Sequence, residues 1–230
     1  EDLHLAPPSA GGRAWLAISG GVDVPIVMGS RATDRRARFG GLEGRVLQDG
    51  DTVKLGPRSL QAARIAEKLG SSRRSSWSAP NEWANTTRRH EFVRVVRGAH
   101  WSRFPPSALA AFQRETFMVT PDSDQMGVRL HGPPLMQVNP EEMLSEAVAP
   151  GTIQVPPSGQ PILLLGDCQT IGGYPKLAHV ITVDSAAAAQ LHAGDSVRFA
   201  EVTLTDAQRW LLEREREVER FRIGLELQTR

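Results

Sequence analysis

Four side chains that can take part in catalysis follow a short apolar run in the second half of the sequence. The run, 161–165, is flanked by Gly and Pro, which is typical of a strand buried on both faces. Residues just beyond such a strand are held by a rigid element and still reach solvent. The candidates there are Asp167, Gln169, Tyr174 and Lys176. The alternative is a tight turn between two strands, because Gly and Pro are common turn residues.

Glycine and cysteine residues in the same segment bear on this prediction. Gly172 and Gly173 permit a positive φ or a close approach of the backbone to a ligand, so they are substrate-binding candidates. Cys168 is the only cysteine and stands beside Asp167, whose carboxylate would raise the pKa of the thiol. We therefore interpret Cys168 as a packing residue. A single cysteine also excludes an intrachain disulfide and a cysteine-rich zinc site, and we expect no metal.

Two arginines lie in glycine-rich segments of the first half of the chain. Arg31 belongs to 29–34, and Arg45 follows the Gly-rich run 39–44. Backbone amides and guanidinium groups that face a common space can bind a carboxylate or a phosphate. The alternative is a pair of surface turns with solvated arginines.

One nine-residue pattern occurs twice. Residues 47–55 and 191–199 both contain a Leu, two variable residues, Gly-Asp, a hydroxyl residue, Val, a cation and an apolar residue. Each copy reads as a turn followed by a strand, and a Gly pair closely followed by Pro lies upstream of each. Self-similarity at this separation predicts two related β-rich units.

Three helices are predicted from the sequence. Residues 59–69 carry a Ser cap and an apolar face, and 107–115 is a second short candidate. A last helix opens at Thr205, which has capping-box spacing with Gln208. The segment 71–87 has no apolar period. We therefore predict a first unit at 1–70, a linker at 71–88 and a second unit at 89–230.

The composition limits the possible classes of protein. A net charge of +1 supplies no general attraction for nucleic acid or for an anionic membrane, and we expect neither as a partner. The apolar fraction of 40% and the charged fraction of 23% are those of a soluble globular protein, for which we expect a cytoplasmic location. The sequence contains no P-loop, no dinucleotide-binding glycine motif, no zinc-protease motif and no G-x-S-x-G elbow.

Five segments in order resemble one known family. They are I-S-G-G-V-D-V-P-I-V-M-G-S-R-A-T-D at 18–34, F-G-G-L-E-G-R-V-L-Q-D-G-D at 39–51, S-D-Q-M-G-V-R-L-H-G-P at 123–133, S-E-A-V-A-P-G-T-I-Q-V-P at 145–156 and D-C-Q-T-I-G-G-Y-P-K at 167–176. The family is the carboxyltransferase-like group called allophanate hydrolase subunit 2. It includes the C subunit of 5-oxoprolinase, the antagonist of the Kip sensor-kinase inhibitor, and the carboxyltransferase part of urea carboxylase.

The resemblance implies a mainly β fold with two cyclophilin-like β-barrels and a few short helices. Family members carry a further segment, including a Q-D-x-G-R motif, before the position that matches Gly12, so the first barrel is expected to be incomplete here. The resemblance also implies a heteromeric complex with two partners, the A subunit of the enzyme and its related, Kip-inhibitor-like B subunit. Cys168 departs from the family pattern, which argues that this position is not catalytic.

The resemblance further implies an ATP-dependent hydrolase that acts only in a complex and opens the lactam of 5-oxoproline to glutamate. Such chemistry needs cations for phosphate and carboxylate groups and polar groups for the ring amide. We predict anion contacts from Arg31, Arg45 and Arg129. Amide contacts are predicted from Gln154, Asp167 and Gln169, and stabilisation of negative charge from Tyr174 or Lys176. A structural role is the alternative for each residue, such as packing for Tyr174.

Two other functions of the family stay open. One is biotin-dependent carboxyl transfer to urea or a similar amide, which would use the same cleft and need a biotin carrier. The chain has no M-K-M carrier motif, so biotin belongs to this alternative alone. The other is a non-catalytic module that sequesters a kinase inhibitor.

Overall fold

The structure is a computed structural model that describes residues 2–4, 11–72, 74–75, 78–80, 83, 92–139 and 142–229. It divides into two units, which are described separately. The larger unit comprises Glu1–Ala14 and Ala79–Arg222, and the smaller unit comprises Trp15–Ser78 and Ile223–Arg230. Much of the predicted linker lies outside the described residues. Within the described ranges, no helix combines the length and the apolar character needed to cross a membrane.

The smaller unit consists mainly of turns. Its described strands, β1 (Thr33–Asp34) and β2 (Phe39–Gly40), pair antiparallel over two residues each. Val24 is the single buried apolar side chain among the described residues of this unit. Since stabilisation by the hydrophobic effect scales with the apolar area removed from water, this part of the chain depends on turns and polar contacts.

One helix of the smaller unit follows the sequence pattern closely. It is α1 (Leu60–Leu69), and the Ala62 N–H donates to the Ser59 Oγ at 3.1 Å at its start. A Ser hydroxyl in this position satisfies one of the free N–H groups of the first turn. The predicted helix at 59–69 is confirmed.

The larger unit contains an eight-stranded sheet, which confirms the predicted mainly β fold. The described strands of the larger unit, including two outside this sheet, are in chain order β3 (Val93–Arg97), β4 (Phe117–Val119), β5 (Gly127–His131), β6 (Glu146–Ala147), β7 (Thr152–Gln154), β8 (Ile162–Leu164), β9 (Ile171–Gly172), β10 (Lys176–Val180), β11 (Ser196–Val197) and β12 (Phe199–Glu201). The sheet order is β11-β4-β5-β8-β7-β10-β3-β12, while β6 and β9 form a separate ribbon. Neighbours in the sheet are antiparallel except β12 and β3, which are parallel.

The first and last strands of this sheet are neighbours in the sequence. β11 ends at Val197, and β12 begins at Phe199. One residue cannot span a flat sheet of this size, because adjacent strands lie about 4.8 Å apart. The sheet therefore curls into a nearly closed barrel. The strand predicted at 161–165 is confirmed as β8, which lies between β5 and β7.

The barrel interior is filled by aliphatic side chains and a group of aromatic rings. Phe112 stacks on Phe199 with the ring centroids 4.7 Å apart, and Phe117 lies 6.1 Å from Phe199. Phe112 is carried by the helix α2 (Pro106–Arg114), in which Pro occupies the first helical position, where its missing N–H is least costly. The short helix α3 (Ser185–Ala189) adds the buried Ala188.

The last helix, α4 (Leu204–Thr229), begins earlier than its predicted cap. The Thr203 Oγ1 accepts from the Asp206 N–H at 3.1 Å and donates to the Asp206 Oδ2 at 2.7 Å. The predicted cap, Thr205 with Gln208, has the same spacing and is wrong. An Asp near the start of a helix also interacts favourably with the helix dipole, which a Gln does not.

Candidate functional site

Three predicted site residues form one row on the outer face of the barrel. Arg129 on β5 pairs with Ile162 on β8, which in turn pairs with Gln154 on β7. Gln154 pairs with Lys176 on β10. Residues that are paired across adjacent strands point to the same side of a sheet. The neighbouring Leu163 is buried in the core on the opposite side. The register thus brings three distant segments of the sequence together.

Lys176 is held in place by a carboxylate and a carbonyl. Its Nζ donates to the Glu146 Oε2 at 2.6 Å and to the Ala147 carbonyl at 3.3 Å. The Lys176 side chain is only 19% exposed. The ammonium group is therefore fixed in position, which is what a group that stabilises charge in a transition state requires.

His100 lies in the turn after β3 and pairs with the backbone of Lys176. The Lys176 N–H donates to the His100 Nδ1 at 3.0 Å, and the His100 N–H donates to the Lys176 carbonyl at 3.0 Å. Because Nδ1 accepts, the ring proton sits on Nε2, which lies 3.8 Å from the Glu146 Oε2. Burial lowers the pKa of His100, which favours this neutral form.

Glu146 supplies the negative charge of the cluster. It lies on β6, opposite Gly172 of β9. The hydrogen bond from Lys176 is the main reason why the pKa of Glu146 is lowered, and the charges of Lys176 and Arg103 act in the same direction. The carboxylate is therefore ionised at neutral pH. With 47% of its side chain exposed, it can also be reached by a ligand.

Gln154 places a buried amide beneath the β6–β9 ribbon. The side chain is 1% exposed, and its Nε2 donates to the Tyr174 carbonyl at 3.1 Å. A Cβ at Gly172 would lie 2.9 Å from this Nε2, so a side chain at this position would displace the Gln154 amide. A Cβ at Gly173 would lie 3.3 Å from the Met143 carbonyl. The Tyr174 side chain is 44% exposed and contributes its backbone rather than its ring to this contact.

Asp167 and Gln169 lie apart from these contacts. Both are exposed, and the Asp167 N–H donates to the Gln125 carbonyl at 3.4 Å. No contact among the described residues joins their side chains to Lys176. Between them, burial raises the pKa of Cys168, and the charge of Asp167 adds to this effect. A thiol with a raised pKa is a weak nucleophile, as expected for a packing residue.

Arg31 and Arg45 belong to the smaller unit, where both bind their own chain. The Arg31 Nε donates to the Val24 carbonyl at 3.2 Å. The two Nη atoms of Arg45 donate to the two carboxylate oxygens of Asp51 at 2.7 and 2.9 Å. This two-pronged pair, together with the backbone of Gln48, lowers the pKa of Asp51 to about 2. A ligand anion at Arg45 would have to compete with Asp51.

Arg103 joins the Lys176 cluster without forming an ion pair in the part of the chain that the structure describes. It ends the short 3₁₀ turn Trp101–Arg103. Its Nη1 is buried and has no hydrogen-bond partner among the described residues. Its charge acts on both His100 and Glu146. No sequence pattern identifies these three residues as site residues, because they lie far apart and share no motif spacing.

A metal centre is a different possibility for such a polar cluster. Among the described residues, no group of three or more His, Cys, Asp or Glu side chains is placed to hold a metal ion. The chemistry available to the cluster is therefore that of an ionised carboxylate, an ammonium, a guanidinium, a neutral imidazole and a buried amide. Together these groups can bind a polar ligand, stabilise negative charge on it and accept a proton.

The sequence matches one family model over most of its length. The model describes the carboxyltransferase domain, subdomain A and B, and it matches residues 1–201. The chain belongs to this carboxyltransferase-domain family. The family predicted from the five sequence segments is thereby confirmed.

Members of the family with related sequences include two bacterial proteins. The C subunit of 5-oxoprolinase from Escherichia coli is 36% identical over 210 residues, which are 90% of this chain and 62% of that protein. The C subunit of 5-oxoprolinase from Haemophilus influenzae is 35% identical over 205 residues, which are 89% of this chain and 61% of that protein. This chain therefore spans less than two thirds of the length of these relatives.

A solved structure of a urea amidolyase from K. lactis has the same fold. Its TM-score is 0.73 at 24% sequence identity, and the match covers 93% of this chain and 13% of that protein. At this level of identity the likeness concerns the fold alone.

Proposed function

We propose that this chain is part of the C subunit of an ATP-dependent 5-oxoprolinase, which opens the lactam of 5-oxoproline to glutamate together with its A and B subunits. The observation that carries the proposal is the 36% identity to the C subunit of 5-oxoprolinase from Escherichia coli over 90% of this chain. The Lys176 cluster supports it, because it combines the groups that hydrolysis of a cyclic amide requires.

The chemistry follows from the positions of Lys176 and Glu146. A lactam carbonyl is a poor electrophile, so its hydrolysis needs stabilisation of charge on the oxygen and a base for the attacking water. In this proposal the Lys176 Nζ stabilises the negative charge that develops on the lactam oxygen. The Glu146 Oε2 accepts a proton from water as the new C–O bond forms. The ring C–N bond then breaks, and its nitrogen takes up a proton to become the amino group of glutamate.

ATP, when bound by the assembled enzyme, would supply a phosphoryl group to the lactam oxygen with release of ADP, and this group would leave as inorganic phosphate after water has added to the carbonyl carbon. The predicted anion site at Arg45 does not fit a phosphate cradle. The sequence has no P-loop, and the Nη atoms of Arg45 are already taken by Asp51 at 2.7 and 2.9 Å. We therefore propose that ATP binds outside the described residues of this chain, and that these residues handle the lactam.

The test is ATP-dependent release of glutamate from 5-oxoproline by the chain co-expressed with its partner subunits. Lys176→Met is expected to lower kcat by about a hundredfold or more, the usual effect of losing a group that stabilises transition-state charge. Lys54→Met is the matched control, because Lys54 is exposed and lies in the smaller unit. Equal activity of the two variants would remove Lys176 from the site. No glutamate release by the unmodified complex would contradict the proposed function.

Asp167 and Gln169 are tested in the same assay. We propose them as further contacts to the ring amide, each through its exposed polar side chain. Asp167→Ala and Gln169→Ala would then raise KM more than they lower kcat, because both contacts are also made in the ground state. Unchanged kinetics would confine the site to the Lys176 cluster.

The assay also separates the other functions of the family. Biotin-dependent carboxyl transfer would appear as a biotinylated protein that co-purifies with the chain and as consumption of bicarbonate with urea or another amide. A non-catalytic antagonist would form a tight complex with a Kip-inhibitor-like protein and show no ATP turnover. Either result would replace the 5-oxoprolinase proposal.

A further inference from the structure

One buried cationic atom in the larger unit has no acceptor among the described residues. This atom is the Arg103 Nη1, which is inaccessible to solvent, whereas Lys176, Glu146, His100 and Gln154 each take part in a hydrogen bond. A buried donor without a partner is unfavourable in the folded protein, and more so when it is charged. Such an atom therefore marks a place where a ligand can supply what the chain does not.

The charges around Arg103 define the ligand that fits. Lys176 and Glu146 cancel each other through their 2.6 Å contact. Burial lowers the pKa of His100, so the imidazole adds no charge at neutral pH. Among the described residues, Arg103 is then the cation of the cluster that forms no direct ion pair. A single oxyanion would balance it, and a carboxylate matches the planar fork of a guanidinium with two parallel hydrogen bonds.

A second unpaired atom lies on the adjacent segment of the chain. The Gln137 Oε1 is buried and accepts no hydrogen bond within the described part of the chain. The Val138 N–H donates to the Arg103 carbonyl at 3.0 Å, which holds the two segments side by side. An amide oxygen can only accept, so the group that would satisfy Gln137 is an N–H or O–H donor.

We propose that Arg103 binds the carboxylate of a small-molecule substrate and that Gln137 accepts a hydrogen bond from an N–H of the same molecule. Resting on the proposed function, this ligand is 5-oxoproline, in which the carboxylate and the ring N–H are attached to the same carbon atom. Arg103 and Gln137 would then hold the substrate while Lys176 and Glu146 act on its carbonyl group. Arg103 thus selects acids over neutral lactams.

The experiment measures ligand binding calorimetrically with the full chain, alone and in complex with its partner subunits. The probes are 5-oxoproline, 2-pyrrolidinone, which lacks the carboxylate, and inorganic phosphate. Arg103→Gln is expected to weaken the binding of 5-oxoproline by about ten- to a hundredfold, because a hydrogen-bonded charge is lost. The affinity for 2-pyrrolidinone should not change. Arg114→Gln makes the same change of charge at an exposed position of α2 and is expected to have no effect.

Two further variants keep the test valid if Arg103→Gln does not fold. Arg103→Lys keeps the positive charge but loses the fork, so its affinity for 5-oxoproline should fall between those of the unmodified chain and Arg103→Gln. Gln137→Leu should weaken the binding of 5-oxoproline but not that of tetrahydro-2-furoate, which carries a carboxylate and no N–H. Circular dichroism and thermal unfolding of each variant establish that the fold is intact.

Three outcomes would overturn this assignment. The first is equal affinity of Arg103→Gln and Arg114→Gln for 5-oxoproline; continued glutamate release by the complex would then leave the proposed function standing. The second is binding of inorganic phosphate, but not of 5-oxoproline, in a manner that depends on Arg103. The third is loss of affinity for 2-pyrrolidinone equal to that for 5-oxoproline, because the carboxylate would then not be the group that Arg103 recognises.

Discussion

The turn at 47–51 and the turn at 191–195 have the same backbone in different surroundings. In the first, Gly50 has a φ of 87°, and the Gln48 N–H donates to the Asp51 Oδ2 at 2.7 Å. The Asp51 N–H returns a hydrogen bond to the Gln48 carbonyl at 3.1 Å. This reciprocal pair closes the turn.

The second turn repeats each of these contacts. Gly194 has a φ of 92°, and the His192 N–H donates to the Asp195 Oδ2 at 3.0 Å. The Asp195 N–H donates to the His192 carbonyl at 3.0 Å. The repeated pattern therefore encodes one local structure, since a Gly with positive φ and an Asp that accepts from a nearby N–H suffice to form it.

The residues after the two turns differ in what they contact. Phe199 enters the barrel core and is fully buried, whereas the corresponding Leu55 is 52% exposed. Leu55 forms an isolated bridge to Val22, while Phe199 begins β12. A turn can be specified by five residues, but a strand needs a partner strand and a core to cover it.

The largest expected difference between the two regions concerns these apolar residues. Phe199→Ala should lower the free energy of unfolding by about 3–5 kcal/mol, because it leaves a cavity among Phe112 and Phe117. Leu55→Ala should cost about 0.5 kcal/mol, as for an exposed position. Chemical denaturation followed by circular dichroism measures both values. Equal losses would show that the first copy is packed as tightly as the second.

Replacing either turn glycine by Ala is expected to lower the free energy of unfolding by the same, intermediate amount. Gly50→Ala and Gly194→Ala should each cost about 1–2 kcal/mol, because an L-residue is strained at a positive φ. A Cβ at either position meets no other atom within 4 Å, so steric contact does not distinguish the two sites. Hydrogen exchange at the Asp51 and Asp195 amides measures the opening of each turn. Clearly unequal costs would contradict the view that the two turns are equivalent.

The smallest expected effect is that of pH on the stability of the first turn. The hydrogen bond from Arg45 is the main cause that lowers the pKa of Asp51 from its ordinary 3.8 to about 2. A carboxyl group whose pKa is lower in the folded state stabilises that state above its unfolded pKa and ceases to do so as the pH falls through the folded value. The stability of this turn should therefore decrease between about pH 4 and pH 2.

An NMR titration of the Asp51 carboxyl group, with amide exchange of Gln48, measures this change. Asp51→Asn should abolish the pH dependence, and Asp49→Asn, at an exposed neighbouring position, should preserve it. A midpoint near the ordinary value for Asp51 would show that the pair with Arg45 does not persist in solution.

Several elements could be predicted from the sequence because they depend on residues a few positions apart. The helix at 59–69, the strand at 161–165 and the repeated turns belong to this group. The predicted cap of α4 lies two residues too late, because Thr203 and Thr205 have equivalent spacing to a polar partner and only the charge of Asp206 distinguishes them. The barrel followed from family resemblance rather than from the pattern of apolar residues.

The sequence by itself determined which residues are available for chemistry: Gln154, Lys176 and the glycines between them are recognisable by type and by motif. Only the tertiary structure decided which of them meet. The register of β7 and β10 places Gln154 opposite Lys176, and the β6–β9 ribbon brings Glu146 to the same ammonium. His100 joins through a hydrogen bond from the backbone of Lys176, and the charge of Arg103 acts on Glu146. Strand register is set by burial of the opposite face of the sheet, a long-range effect that no local spacing encodes.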